Sequence, residues 1–197
     1  LSVAPFQEEL IRIVRARAAS SRRPFVVALD GPSGAGKSTL ALALAARLDA
    51  TVLEGDDFFA GGVEIRGDSP EQRAADCIDW RRQRAVLEAL RADGEARYFA
   101  FDWDAFDGRL RATATTVVAR DVVLLEGVYA ARPELRDLVD LAVLLRIDDA
   151  LRTARLLARE GSIGPWERQW HQAEAWYFEH AAPAERFDLV IDAAALR

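Results

Sequence analysis

Short apolar runs alternate along this chain with stretches whose apolar residues recur every three or four positions. The runs Pro24–Leu29, Thr51–Glu54, Asp121–Leu125, Leu141–Ile147 and Phe187–Ile191 read as short buried strands, and Tyr98–Phe101 and Thr113–Val118 add two more around a loop at 102–109. Helical spacing marks Phe6, Leu10, Ile11 and Val14 in an N-terminal helix over about 5–20. It also marks an Ala/Leu-rich helix over Leu40–Leu48 and a helix over Asp79–Ala92 that turns Val86, Leu87 and Leu90 inward. Two more follow: Asp148–Glu160, broken by 161–165, and a helix striped by Trp166, Trp170, Ala173 and Tyr177. This alternation predicts an α/β fold, a doubly wound parallel sheet with helices on both faces. Without an internal repeat, a low-complexity tract or a linker, residues 1–197 read as one domain.

Composition removes whole classes of function. Hydrophobic residues make up 51% of the chain, enough to pack a core, so disorder is not expected. The net charge of −6 is spread over interspersed signs, and the only basic doublets are Arg22-Arg23 and Arg81-Arg82, a poor surface for nucleic acid. No apolar run reaches membrane-spanning length and no secretory pattern opens the sequence, so a cytoplasmic protein is expected. The single Cys77 reads as a packing residue, and His171 and His180 as exposed helix positions. A subunit contact, if there is one, would fall on the N-terminal or the Trp-rich helix.

One lysine occurs among 26 basic residues, at position 37, inside Gly31-Pro32-Ser33-Gly34-Ala35-Gly36-Lys37-Ser38-Thr39. The spacing G-x-x-x-x-G-K-S between a strand and a helix is the phosphate-cradling loop, and a compact ammonium on a thin stem reaches between phosphate oxygens where a planar guanidinium does not fit. Lys37 and the loop N–H groups are therefore expected on the β- and γ-phosphates of ATP, with the Ser38 hydroxyl on Mg²⁺. Ligands of open parallel sheets sit beyond the carboxyl ends of strands. Two further strands end there in acids. Glu126, closing Val122–Leu125, is placed to hold Mg²⁺ directly or through water, with Gly127 allowing a tight turn beside a ligand. Asp56, closing the second strand, is the candidate general base, and Asp57 either shares that role or contacts magnesium-bound water. Arg152, Arg155 and Arg159 share one helix face and are either a phosphate clamp or a solvated face paired with nearby acids. The Trp stripe reads as core. The loop Asp102-Trp103-Asp104-Ala105-Phe106-Asp107 interleaves acids with aromatics and either suits a hydroxylated ring or is a solvated loop with two buried aromatics.

From Pro24 to Asp192 the chain resembles the uridine kinase and nicotinamide riboside kinase family of P-loop kinases, on the strength of the loop, Asp56-Asp57-Phe58-Phe59, Val122 to Gly127 and the arginine-bearing helix. The resemblance implies a P-loop NTPase fold of the nucleoside-kinase type, a lid at about 152–168, and transfer of the γ-phosphate of ATP to a hydroxyl of a nucleoside-like molecule. It assigns Asp56 as base, Ser38 and Glu126 to magnesium, Arg152, Arg155 and Arg159 to the lid, and Phe101-Asp102-Trp103 to the acceptor pocket. Asp57, Asp79 and Arg109 are the further acceptor contacts expected, Asp76 being the alternative to Asp79. Two departures stand out: no histidine follows Phe101-Asp102-Trp103, and no proline accompanies Asp76-Cys77-Ile78-Asp79. The phosphate machinery is thus kept while the acceptor pocket differs. A kinase for another small polyol or an antibiotic is the alternative within enzymes, and a nucleotide-dependent switch or regulatory ATPase the alternative outside them.

Overall fold

The computed structural model describes residues 5–21 and 24–195; the Arg22-Arg23 doublet lies outside them. Five strands, β1 (Phe25–Asp30), β2 (Thr51–Glu54), β5 (Val122–Glu126), β6 (Leu141–Arg146) and β7 (Leu189–Asp192), form one sheet in the order β2-β5-β1-β6-β7, every neighbouring pair parallel. The remaining two, β3 (Glu95–Tyr98) and β4 (Thr115–Val118), pair only with each other, antiparallel. The helices are α1 (Pro5–Ala18), α2 (Lys37–Leu48), α3 (Pro70–Asp76), α4 (Trp80–Asp93), α5 (Asp149–Glu160) and α6 (Pro165–Trp176), the last running into a π-helical turn at Tyr177–Ala181.

Alternation along the strands splits the core in two. Val26 and Ala28 of β1, with Val123 and Leu125 of β5, face one layer, where α4 and α6 contribute Leu87, Leu90, Trp170 and Ala173. Phe25, Val27 and Leu29, with Val122 and Leu124, face the other, covered by α1 and α2 through Leu10, Val14, Leu40 and Leu44. Burial on both faces is why these strands read as unbroken apolar runs rather than alternating ones. Among the described residues no helix is long and apolar enough to cross a membrane.

The chain departs from its sequence pattern in two places. The helix α3 falls between the expected second strand and the helix over Asp79–Ala92, where the pattern marks no element: it buries little, only Arg73 and Ala74, and owes its start to Ser69, whose hydroxyl accepts the Gln72 N–H in a capping box, and to Pro70 in its first turn. The strand expected at Tyr98–Phe101 lies earlier, at Glu95–Tyr98, and Phe101 makes only a single bridge to Leu110. In β3 the inward residues are Ala96 and Tyr98, an alternation of period two that the apolar run Phe99-Ala100-Phe101 obscures.

Candidate active site

The β1 strand runs straight into the glycine loop, and α2 begins at Lys37 behind Gly36, which sits at φ 93°. A left-handed residue there favours glycine, and no side chain caps the helix, so its first N–H groups face the loop cavity as an anion site. The Lys37 ammonium donates to the carbonyls of Gly31 at 2.8 Å and Pro32 at 3.2 Å. On the adjoining strand ends, Gly55 and Gly127 touch backbone to backbone: a Cβ on Gly55 would lie 2.8 Å from the Glu126 carbonyl, and one on Gly127 3.1 Å from the Gly55 Cα. Gly127 thus approaches Gly55 closely, which brings the ends of β2 and β5 together. Glu126 and Ser38 both border the loop cavity; burial raises the Glu126 carboxyl pKa, Asp56 and Glu54 add to the rise, and Lys37 and Ser38 oppose it.

Asp30 is a site residue that the sequence pattern hides. Its buried carboxylate accepts the N–H groups of Gly31 (2.7 Å), Tyr129 (3.0 Å) and Ala131 (2.9 Å) and the Tyr177 hydroxyl (2.8 Å). Burial pushes its pKa up to about 6 against the pull of those hydrogen bonds and of Lys37. Tyr129 is held at φ 71°, a strained conformation for an aromatic residue, and its N–H bond to Asp30 helps to fix it. Through Asp30 the start of the loop, the segment after β5 and the π-helical turn are locked to one another.

The arginines of α5 face the loop. Arg152 donates to the Ser33 carbonyl at 3.0 Å, and Arg155 to the carbonyls of Gly34 and Ala35, both at 3.3 Å. Arg159 pairs with Glu160 at 2.5 Å. The loop's other partner is Glu174 of α6, which was not apparent from sequence. Its carboxylate accepts the Ser33 N–H (3.1 Å) and hydroxyl (2.5 Å) and pairs with Arg152 (2.6 Å). A polar residue next to Ala173 and one turn from Trp170 and Tyr177 gives no sign of this in the pattern of the helix.

Two cavities meet at these residues. The smaller, about 280 Å³, follows the loop and is bordered by Lys37, Ser38, Thr39, Glu126 and Arg155. The larger, about 460 Å³, has an aromatic wall of Phe59, Trp103, Trp166 and Trp170. Ser33, Asp56, Val128 and Arg159 border both. Asp56 is accessible from the cavities, yet protein crowds it, and this desolvation raises its carboxyl pKa; Glu174 and Asp57 push the same way, while Lys37 and Arg159 oppose. The indole N–H of Trp103 donates to the Asp56 carbonyl at 3.2 Å, joining the wall to the junction. Asp57 also borders the larger cavity and accepts the Tyr98 hydroxyl at 2.7 Å.

Several residues expected here lie elsewhere. Asp79 caps α4, its carboxylate accepting the Arg82 N–H at 3.1 Å. Asp76 is an exposed partner of Arg66. Phe101 is buried behind Phe59 and Trp103, Asp102 accepts the Ala105 N–H within its own turn, and Arg109 is a surface partner of Asp107. None of the five borders the cavity, whereas Arg111 does. Trp166 and Trp170 both pack on the core and line the cavity, so the Trp stripe is not core alone. His180 is exposed as expected, but His171 is half-buried, lines the cavity, and has its pKa lowered by burial. Cys77 is buried, and that burial raises its thiol pKa. Among the described residues no three His, Cys, Asp or Glu side chains gather as a metal cluster.

Comparison with known proteins agrees with this architecture. A possible uridine kinase from Bacillus stearothermophilus is 23% identical, with a TM-score of 0.71 over 94% of this chain and 97% of its own. A provisionally named fructose transport system kinase from Silicibacter sp. TM1040 is 25% identical, with a TM-score of 0.72 over 94% and 98%. The D-glycerate 3-kinase of Cryptococcus neoformans var. grubii shares the fold at 14% identity, with a TM-score of 0.65 over 98% and 97%. No curated protein matches the sequence. The family described as an AAA domain matches residues 26–179, and on that match the chain belongs to the AAA domain family, with the fold of P-loop kinases.

Proposed function

We propose that this chain transfers the γ-phosphate of ATP to a hydroxyl of a small, nucleoside-like molecule bound in the aromatic cavity. The observation that carries the proposal is the position of Asp56, the one carboxylate bordering both the loop cavity and the aromatic cavity. The kinase fold and its kinase neighbours support the same reaction class, and the neighbours named for sugars and glycerate keep polyols among the candidate acceptors.

The residues present fit the nucleotide. An uncapped helix start, a glycine loop and a lysine whose ammonium has only two carbonyls as partners form a cradle for phosphate oxygens. The Ser38–Glu126 pair suits magnesium, which needs few protein ligands when phosphates supply the others. ATP with its magnesium would supply the phosphoryl group and neutralise charge on its oxygens. Lys37 and the loop N–H groups hold the phosphates. Asp56, ionised, accepts the acceptor's hydroxyl proton as the hydroxyl oxygen bonds to the γ-phosphorus and the bond to the departing ADP oxygen breaks. Arg155 and Arg159, bordering the loop cavity, are the cations available to the transferring charge; Arg152 braces Ser33.

Asp56→Asn tests this directly. Removal of a general base lowers turnover by about 10²–10⁴-fold. ATP affinity, measured by calorimetry, should change little, since Lys37 and the loop carry it. Undiminished acceptor-dependent turnover in the variant would remove Asp56 as the base.

A further inference from the structure

The aromatic cavity has a charge imbalance. Six carboxylates border it, but Glu174 is matched by Arg152 at 2.6 Å and Glu160 by Arg159 at 2.5 Å. The other four are Glu54, Asp56, Asp57 and Glu167, and among the described residues none has a basic group within 4 Å. Asp57 and Glu167 accept neutral donors, the Tyr98 hydroxyl and the Gly164 N–H. One further cation, Arg111, borders the space, and its nearest acid is Asp104, outside the cavity, at 3.8 Å. Lys37 and Arg159 act on Asp56 from the loop side, so Glu54, Asp57 and Glu167 are left to share one guanidinium, next to a cavity whose expected occupant, a nucleoside triphosphate, is itself anionic. A carboxylate-bearing acceptor would be repelled from both sides.

The wall opposite offers a second, independent feature. Phe59 lies 5.0 Å from Trp103, 6.0 Å from Trp166 and 5.6 Å from Trp170 between ring centroids, so the four rings form one continuous surface. Trp103 is its most open member, 37% exposed. Trp170 is 6% exposed, and among the described residues its indole N–H has no partner. Aromatic faces attract cations through their quadrupole, most strongly when water is excluded, and carboxylates beside them add to the attraction.

We infer that the acceptor is a cation: a hydroxylated molecule whose ammonium or quaternary nitrogen seats against the Trp103–Trp166–Trp170 wall within reach of Glu54 and Asp57. This rests on the phosphotransfer proposed above and narrows it to a substrate class, setting amino- and quaternary-nitrogen alcohols above neutral polyols and above hydroxy acids. Three benzyl alcohols sharing one frame test it, carrying a para trimethylammonium-methyl, neopentyl or carboxymethyl group. Calorimetric titration of the full chain should show the ammonium compound binding at least tenfold tighter than its neutral isostere, and the carboxylate not binding. Raising the salt should erode that advantage, and Glu54→Gln and Trp103→Leu should each reduce it several-fold. Equal or tighter binding of the neutral or anionic compound, or no saturable binding of the ammonium compound up to millimolar concentration, would overturn the inference. ADP release in the same samples separates the two levels. Transfer to the neutral or anionic alcohol with no cation preference retains the kinase and rejects the charge assignment, whereas cation binding with no ADP release from any acceptor retains the assignment and rejects the kinase.

Discussion

The two cavities that meet at Asp56 are built in opposite ways. The loop cavity takes six of its eleven bordering residues from one stretch, Ser33 to Thr39, and the start of α2 opens onto it. The aromatic cavity draws Glu54 and Asp57 from the end of β2, Trp103 and Arg111 from a long loop, and Trp166 to Glu174 from α6. Recognition there depends on side chains brought together only by folding. Under the proposed phosphotransfer, the largely contiguous loop cavity would serve the donor generally, and the composite of distant side chains would select the acceptor. Asp56 and Ser33, which border both, are where one end can sense the other.

Four expectations sharpen this contrast. Lys37→Ala removes the one compact cation of the loop and should weaken ATP binding by roughly a hundredfold, as loss of charge-assisted hydrogen bonds does, while leaving acceptor binding unchanged in the same titration. A parallel loss of acceptor affinity would mean that the two ends are not separable. Glu174→Ala strips the half-buried Arg152 and the Ser33 hydroxyl of their shared carboxylate and should cost roughly 2 kcal/mol in urea unfolding. An unchanged midpoint would show that α6 does not hold the loop.

Asp30 gives a pH signature of the loop end. Its folded carboxyl keeps its proton up to about pH 6, above the ordinary value of 3.8, so the folded state binds more protons than the unfolded one and loses stability as pH rises from about 4 to 6. The term is of the order of 3 kcal/mol. Asp30→Asn lacks it, so the stability gap between wild type and variant should shrink between pH 4 and pH 7; a widening gap would reverse the sign. The smallest effect concerns the acceptor end. Asp79→Ala should cost about 1 kcal/mol, the worth of a helix cap, and leave steady-state kinetics unchanged. A raised KM would return Asp79 to the acceptor site.

The same contrast explains what could be seen in the sequence. Spacing alone located the glycine loop, the apolar strands of the parallel sheet and the carboxylates at their ends, because each of these is a local pattern. Asp30 carried no local signal, since the Tyr129, Ala131 and Tyr177 groups that bond it come from segments about a hundred or more residues away. Glu174 was hidden for the same reason. Asp79 had the residue type and neighbourhood of a ligand contact, but the local demand of α4 for an N-cap claimed it. Trp166 and Trp170 have helical spacing whether they pack, line a cavity or do both, and periodicity does not distinguish these.

The central claim is that a phosphate donor and a hydroxyl acceptor occupy neighbouring cavities and react across Asp56. Its most direct test is ADP release by the purified chain with ATP and magnesium, with and without a panel of cationic, neutral and anionic alcohols that includes nucleosides and simple polyols. The account predicts that at least one acceptor accelerates ADP release well above the acceptor-free rate and yields its phosphate ester in equal amount. Tight ATP binding with a rate that no acceptor changes would contradict it and favour a nucleotide-dependent switch.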